Sequence, residues 1–88
     1  MAQSPKYFVY MLHCADGTIY SGYAADPHKR AGVHNSGRGA KYTRSRLPVT
    51  LVYYESCLTK SEALHKEAAL KKLTHKQKEK LIKQNKID

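Results

Sequence analysis

Acidic residues are scarce in this chain: seven Asp and Glu stand against sixteen Lys and Arg, a formal net charge of +9. In a protein of 88 residues that imbalance favours a polyanionic partner, because every phosphate neutralised by a cation releases counterions. Charge alone leaves DNA, RNA, a membrane surface and merely solvated lysines open. Long apolar runs are missing as well, which excludes a membrane span. The N-terminal Met-Ala-Gln-Ser-Pro-Lys carries no apolar segment of the signal-peptide kind. Cysteine is limited to Cys14 and Cys57, with neither metal-ligand spacing nor the numbers for a disulfide framework. The expectation is a reduced, cytoplasmic protein. Internal repeats and low-complexity linkers are lacking too, so 1–88 reads as a single domain with a compact core over about 7–83. Tryptophan is absent and phenylalanine occurs once, against seven tyrosines. A tyrosine keeps a donor and an acceptor on an apolar body, which a core Phe cannot do; it is also an ordinary strand residue.

Residues 7–14 (YFVYMLHC) and 18–24 (TIYSGYA) read as two strands of a hairpin. Asp16-Gly17 alone would make a two-residue turn, whereas Ala15-Asp16-Gly17 makes a three-residue loop with Gly17 left-handed. The two differ by one residue of register, which flips faces. The longer loop pairs Tyr10 with Gly22 and puts Tyr10 and Tyr20 on one face, and it is the arrangement expected. Asp26-Pro27 opens a helix to about 35, with Asp as cap and Pro at the first position. A basic, Gly-containing loop (SGRGAKYTRSRL) covers 36–47, and 49–55 (VTLVYYE) is a third strand. Thr59-Lys60-Ser61-Glu62 and Thr74-His75-Lys76-Gln77 are capping-box patterns that start two further helices, to about 73 and 83. The fold class is α/β, a small three-stranded sheet flanked by three helices in the order β-β-α-β-α-α.

Three groups of residues carry chemistry. Glu67 has Ala63, Leu64, Leu70 and Lys71 as its helical neighbours, so a carboxylate borders the apolar stripe. It either meets a cation or metal there, or reaches water or Lys71 from the stripe's edge. Arg30 and His34 lie one turn apart on one helix face, where Arg suits phosphate and His suits proton transfer, unless the face is simply solvated. Arg38, Lys41, Arg44 and Arg46, interleaved with Gly39 and Tyr42, suit backbone tracking and base stacking on nucleic acid, or else keep an exposed loop soluble.

Taken in order, these residues resemble the GIY-YIG nuclease superfamily, over about 7–82. Val9-Tyr10 and Tyr20-Ser21-Gly22 are similar to its two signature halves, Arg30 to its helix arginine, and Ala63-Leu64-His65-Lys66-Glu67 to the segment that holds its metal-binding glutamate. The run HNSGRGAKYTRSRLPVTLVYYE resembles small stand-alone bacterial members. Phe8 replaces the first glycine, Ser21 the middle isoleucine, Tyr23 a frequent Lys or Thr, and Ala31-Gly32 a frequent Leu. The resemblance implies a metal-dependent endonuclease hydrolysing phosphodiesters, most often of DNA, in repair or recombination. The alternative is a non-catalytic nucleic-acid-binding module on the same fold. In the first case Tyr10, Tyr20, Arg30 and His34 are catalytic, and Glu67 holds one Mg²⁺ or Mn²⁺ ion. Tyr10 orients or deprotonates the attacking water, Tyr20 binds that water or the phosphate, Arg30 holds the scissile phosphate, and His34 assists proton traffic. Tyr23, Arg38, Lys41, Tyr42, Arg44 and Arg46 form the nucleic-acid-binding set. No protein partner is implied.

Overall fold

The computed structural model describes residues 6–85. Strand β1 (Tyr7–His13) pairs antiparallel with both β2 (Ile19–Ala24) and β3 (Thr50–Cys57), giving the sheet order β2-β1-β3. Cys14 N–H donates to Thr18 O at 2.8 Å and closes a three-residue loop in which Gly17 has φ +86°. Asp16 stiffens that loop by accepting from the Thr18 amide and hydroxyl. The register follows: Tyr10 faces Gly22 and Leu12 faces Tyr20, so both tyrosines project from one face, as the longer loop requires.

Helix α1 (Pro27–Asn35) starts on Asp26, whose carboxylate accepts from the Lys29 amide at 3.1 Å. Its other end is clamped to the start of β3. The Asn35 side chain donates to Val49 O at 2.9 Å and accepts from Val49 N at 2.7 Å. Where the sequence suggests an uninterrupted basic loop, the chain forms a helical turn, α2 (Lys41–Arg44). There are therefore four helices rather than three among the described residues, in the order β-β-α-α-β-α-α. The four-residue α2 has no side-chain cap; the contacts of Thr43 hold it in place, as described below. Strand β3 runs on to Cys57 because Phe8 and Tyr7 pair with Ser56 and Cys57.

Helix α3 (Lys60–Lys72) is capped by Thr59, whose side chain accepts from Glu62 N. The reciprocal half of the box is displaced by one residue, since the Glu62 carboxylate accepts from Leu58 N at 2.8 Å. Helix α4 (His75–Gln84) carries a complete capping box between Thr74 and Gln77. Two apolar clusters fill the two faces of the sheet. Val9, Met11, Ile19, Tyr53 and Cys57 pack with Ala63 and Leu70 of α3 and Leu81 and Ile82 of α4. Tyr10, Leu12, Cys14, Ala24 and Val49 pack with Ala31 of α1 on the other face. Strand β2 lies at the sheet edge, so side chains from both faces can meet over it.

Candidate active site

A cleft of about 500 Å³ opens over the β2 edge, and Tyr10, Tyr20, Tyr23, Arg30, His34 and Glu67 all line it. Tyr10 comes from the central strand, Tyr20 and Tyr23 from the edge strand, Arg30 and His34 from α1, and Glu67 from α3 across the edge. Tyr10 reaches the cleft only because Gly22, its partner in the hairpin, has no side chain. A Cβ at that position would stand 2.7 Å from Tyr10 Oη and 2.9 Å from Cζ, closer than a carbon can sit.

At the floor of the cleft is a buried polar chain. Tyr10 is 1% exposed and His34 2%, and Tyr10 Oη lies 3.1 Å from His34 Nε2. The other ring nitrogen, Nδ1, is 2.7 Å from Thr43 Oγ1, and Thr43 is 0% exposed. The Thr43 hydroxyl is 2.9 Å from Ala40 O, which can only accept. The hydroxyl proton therefore goes to Ala40 O, and its lone pair takes Nδ1–H. The Ala40 amide also approaches Nδ1 but at 3.4 Å, the weaker claim on that nitrogen. The network thus assigns the Nδ1–H tautomer and leaves Nε2 to accept from the Tyr10 phenol.

The electrostatics are consistent with this neutral chain. Burial pushes the Tyr10 phenol up to about 12; nearby Tyr20 and Glu67 push the same way, while Arg30 pulls against them. Burial, reinforced by the Arg30 guanidinium, holds His34 below the ordinary imidazole value of 6.5. Tyr10 is therefore a protonated donor and His34 an unprotonated acceptor at neutral pH. Tyr20, only half-buried, flanks His34 with ring centroids 5.3 Å apart and stacks on Tyr42 at 5.9 Å. Among the described residues Glu67 is the one carboxylate lining the cleft. Its side chain is 18% exposed, and Lys71 approaches it at 3.5 Å, the stripe-edge contact that the helix spacing allows. Glu62 is engaged elsewhere, with Leu58 N and Lys66.

The basic segment divides. Arg38 lines the cleft together with Gly39 and Ala40, whereas Lys41 and Arg44 are exposed on α2, outside the lining. Tyr42 reaches the site through its stack on Tyr20. Arg46 lies 4.0 Å over the Tyr42 ring, pairs with Asp16 at 2.9 Å and donates to Tyr42 O at 2.7 Å. Sequence reasoning passes over Thr43 and Asn35, and places Gly39 only within the basic loop. Thr43 and Asn35 bond across intervals that match no helix or strand period. At Gly39 any Cβ would collide with the His34 ring; its place beside Arg38 in a Gly-containing loop was the only signal.

A family model described as the GIY-YIG catalytic domain matches residues 6–81. The chain is 53% identical over 77 residues to UPF0213 protein SERP0126 of Staphylococcus epidermidis, covering 88% of this chain and 94% of that one. It is 49% identical over 86 residues to UPF0213 protein SAG0778 of Streptococcus agalactiae, covering 98% and 97%. Two solution NMR structures are similar. The protein EF2693 from E. faecalis is 46% identical, with a TM-score of 0.60 over 96% of this chain and 90% of that one. The UPF0213 protein BH0048 from Bacillus halodurans is 43% identical, with a TM-score of 0.56 over 88% and 82%.

Proposed function

The chain belongs to the GIY-YIG catalytic domain family, whose activity is of the nuclease kind, and from that premise we propose that it is a metal-dependent endonuclease acting on DNA in repair or recombination. One observation carries the reading: three phenols, an arginine, an unprotonated histidine and a carboxylate from four separate elements converge on one cleft. A domain that only bound a polyanion would gain nothing from a carboxylate beside the phosphate, which it repels.

The reaction replaces a phosphorus–oxygen bond to a sugar with a bond to water oxygen, and the leaving sugar oxygen takes up a proton from solvent at the mouth of the cleft. A phenol raised to about 12 is a poor phenolate source at neutral pH, so Tyr10 acts as a relay. It takes a proton from the attacking water as it passes its own to His34 Nε2, 3.1 Å away. Thr43 holds Nδ1–H throughout and keeps Nε2 available. Tyr20, nearer the opening, orients the water or a phosphate oxygen. The Arg30 guanidinium faces the charge that grows on the phosphoryl oxygens, a contact whose loss typically costs on the order of 10²–10³-fold. Glu67 fits a hard divalent ion. Among the described residues it is the cleft's only carboxylate, and its one ion-pair partner, Lys71, is a loose pair a turn away. Among the described residues no group of three or more His, Cys, Asp or Glu stands together. Glu67 would therefore hold Mg²⁺ or Mn²⁺ with water and substrate oxygens completing the set. When bound, such an ion supplies Lewis-acid charge at the scissile phosphate.

The test is a cleavage panel over supercoiled plasmid, single strands and branched duplexes, with Mg²⁺, with Mn²⁺ and with chelator. The reading expects cutting of at least one DNA class that needs the ion. Binding without cutting across the whole panel reassigns the chain to a nucleic-acid-binding module.

A further inference from the structure

Beside the cleft of Tyr10 and His34 lies a second hollow of about 370 Å³, lined by Tyr7, Tyr23, Ala24, Ala25, Arg30 and Lys60. Arg30 and Tyr23 line both, so the two hollows are neighbours at the C-terminal end of the edge strand. Tyr7 and Tyr23 stand on neighbouring strands and pack on the same apolar cluster. The two cations come from different helices, Arg30 from α1 and Lys60 from the first position of α3.

The lining has a definite chemistry. One guanidinium, one ammonium, two phenols and two alanines line it, and no acid does among the described residues. Among the described residues neither Arg30 nor Lys60 takes part in an ion pair. Two like charges lining one hollow repel each other, and an anion bound beside them offsets that repulsion. Phenol rings beside paired cations suit a nucleotide, because a base or sugar packs on the rings while its phosphate meets the charges.

We infer that this hollow is a subsite for the nucleotide that follows the scissile phosphate on the same strand. Its phosphate lies between Arg30 and Lys60, and its sugar and base lie against Tyr7 and Tyr23. The inference rests on the central cleft being a phosphodiester site. Arg30 then touches two successive phosphates, and the strand runs from Arg38, past Arg30, to Lys60. The charge of Lys60 opposes the α3 dipole, so replacing it does not cost the fold.

The experiment compares the parent with Lys60→Gln and with Lys72→Gln, the latter an exposed lysine of the same helix outside both hollows. The probe is a labelled 12-mer of thymidylate, titrated without metal over a range of salt. Lys60→Gln is expected to weaken binding and to lower the slope of log affinity against log salt by about 0.7, the share of one single-strand phosphate. Lys72→Gln should move it by much less. On whichever DNA the parent cuts, Lys60→Gln should raise KM and leave kcat in place. Equal slopes for the two variants, with a parent that binds, overturn the subsite and leave the central cleft intact. A parent that neither binds nor cuts nucleic acid overturns both.

Discussion

The hydroxyl of Thr43 lies 2.7 Å from Nδ1 of His34, and it decides which nitrogen of that ring carries the proton and leaves Nε2 free to accept from Tyr10. Thr43→Val keeps the shape and removes the hydroxyl. The buried Nδ1–H then has no strong acceptor, at a cost of about 1–3 kcal/mol, and the ring is free to change tautomer. The expected result is a modest fall in melting temperature and a fall in kcat of at least tenfold. Thr43→Ser should restore the rate, and a Val variant as fast as the parent would show that His34 needs no positioning.

Two glycines keep the floor of the cleft open, for reasons of space rather than backbone angle. Gly22→Ala drives a methyl group into Tyr10, and Gly39→Ala drives one into His34. Overpacking of this kind typically costs about 1–3 kcal/mol. Both variants should still fold, as read by circular dichroism, and both should lose most cleavage activity. Gly32→Ala meets nothing within 4 Å and serves as the control, with activity unchanged and the helix slightly more stable.

These contacts mark where the sequence stopped being informative. Alternation set the strands, Asp16-Gly17 with its preceding alanine set the register, and Asp26-Pro27 and Thr74-Gln77 set helix starts, because each is a local interaction. From that register alone Tyr10 and Tyr20 fall on one face. Helix α2 escaped because four residues without a cap fold only against the rest of the chain. Thr43 and Asn35 escaped for the related reason that their partners lie nine and fourteen residues away, in directions that no periodicity encodes. Arg46 looked like its loop neighbours in sequence; only the packed loop shows it turned toward Asp16 and Tyr42.

Stability should depend on pH through the same buried pair. His34 is held below its ordinary 6.5, so the unfolded chain binds the extra proton more readily. The stabilising contribution is present above about 6.5 and lost as pH falls through the depressed value. Tyr10, raised from 10.0 to about 12, contributes stability below 10 that is lost as pH rises through 12. Melting temperature should therefore fall on both sides of a plateau between those limits. His34→Gln should flatten the acid limb relative to the parent. An acid limb unchanged in His34→Gln would assign it to other groups, such as Asp16, whose carboxyl is held below its ordinary value by its hydrogen bonds from Thr18.

Arg38 and Arg46 carry the same charge in the same segment but should behave differently. Arg38 lines the cleft, and Arg46 is engaged with Asp16 and the Tyr42 carbonyl. Arg38→Ala is expected to weaken oligonucleotide binding several-fold with little change in melting temperature. Arg46→Ala is expected to weaken binding less and to lower the melting temperature only slightly, since exposed ion pairs contribute little. Titrating both variants at two salt concentrations beside thermal melts checks the contrast.

The most direct test of the account is Glu67→Ala, measured for cleavage and for binding side by side. Ala suits a helix, and Lys71 loses only a loose, partly exposed partner, so the fold should persist. Without a metal the carboxylate repels phosphate, so removing it should leave affinity equal or higher. With Mg²⁺ or Mn²⁺ present, the variant should lose cleavage by on the order of 10²–10³-fold, the cost of one electrostatic contact to the transition state. A variant that binds as tightly as the parent and no longer cuts is the result predicted. Equal cutting by parent and variant would contradict it and return Glu67 to the edge of an apolar stripe.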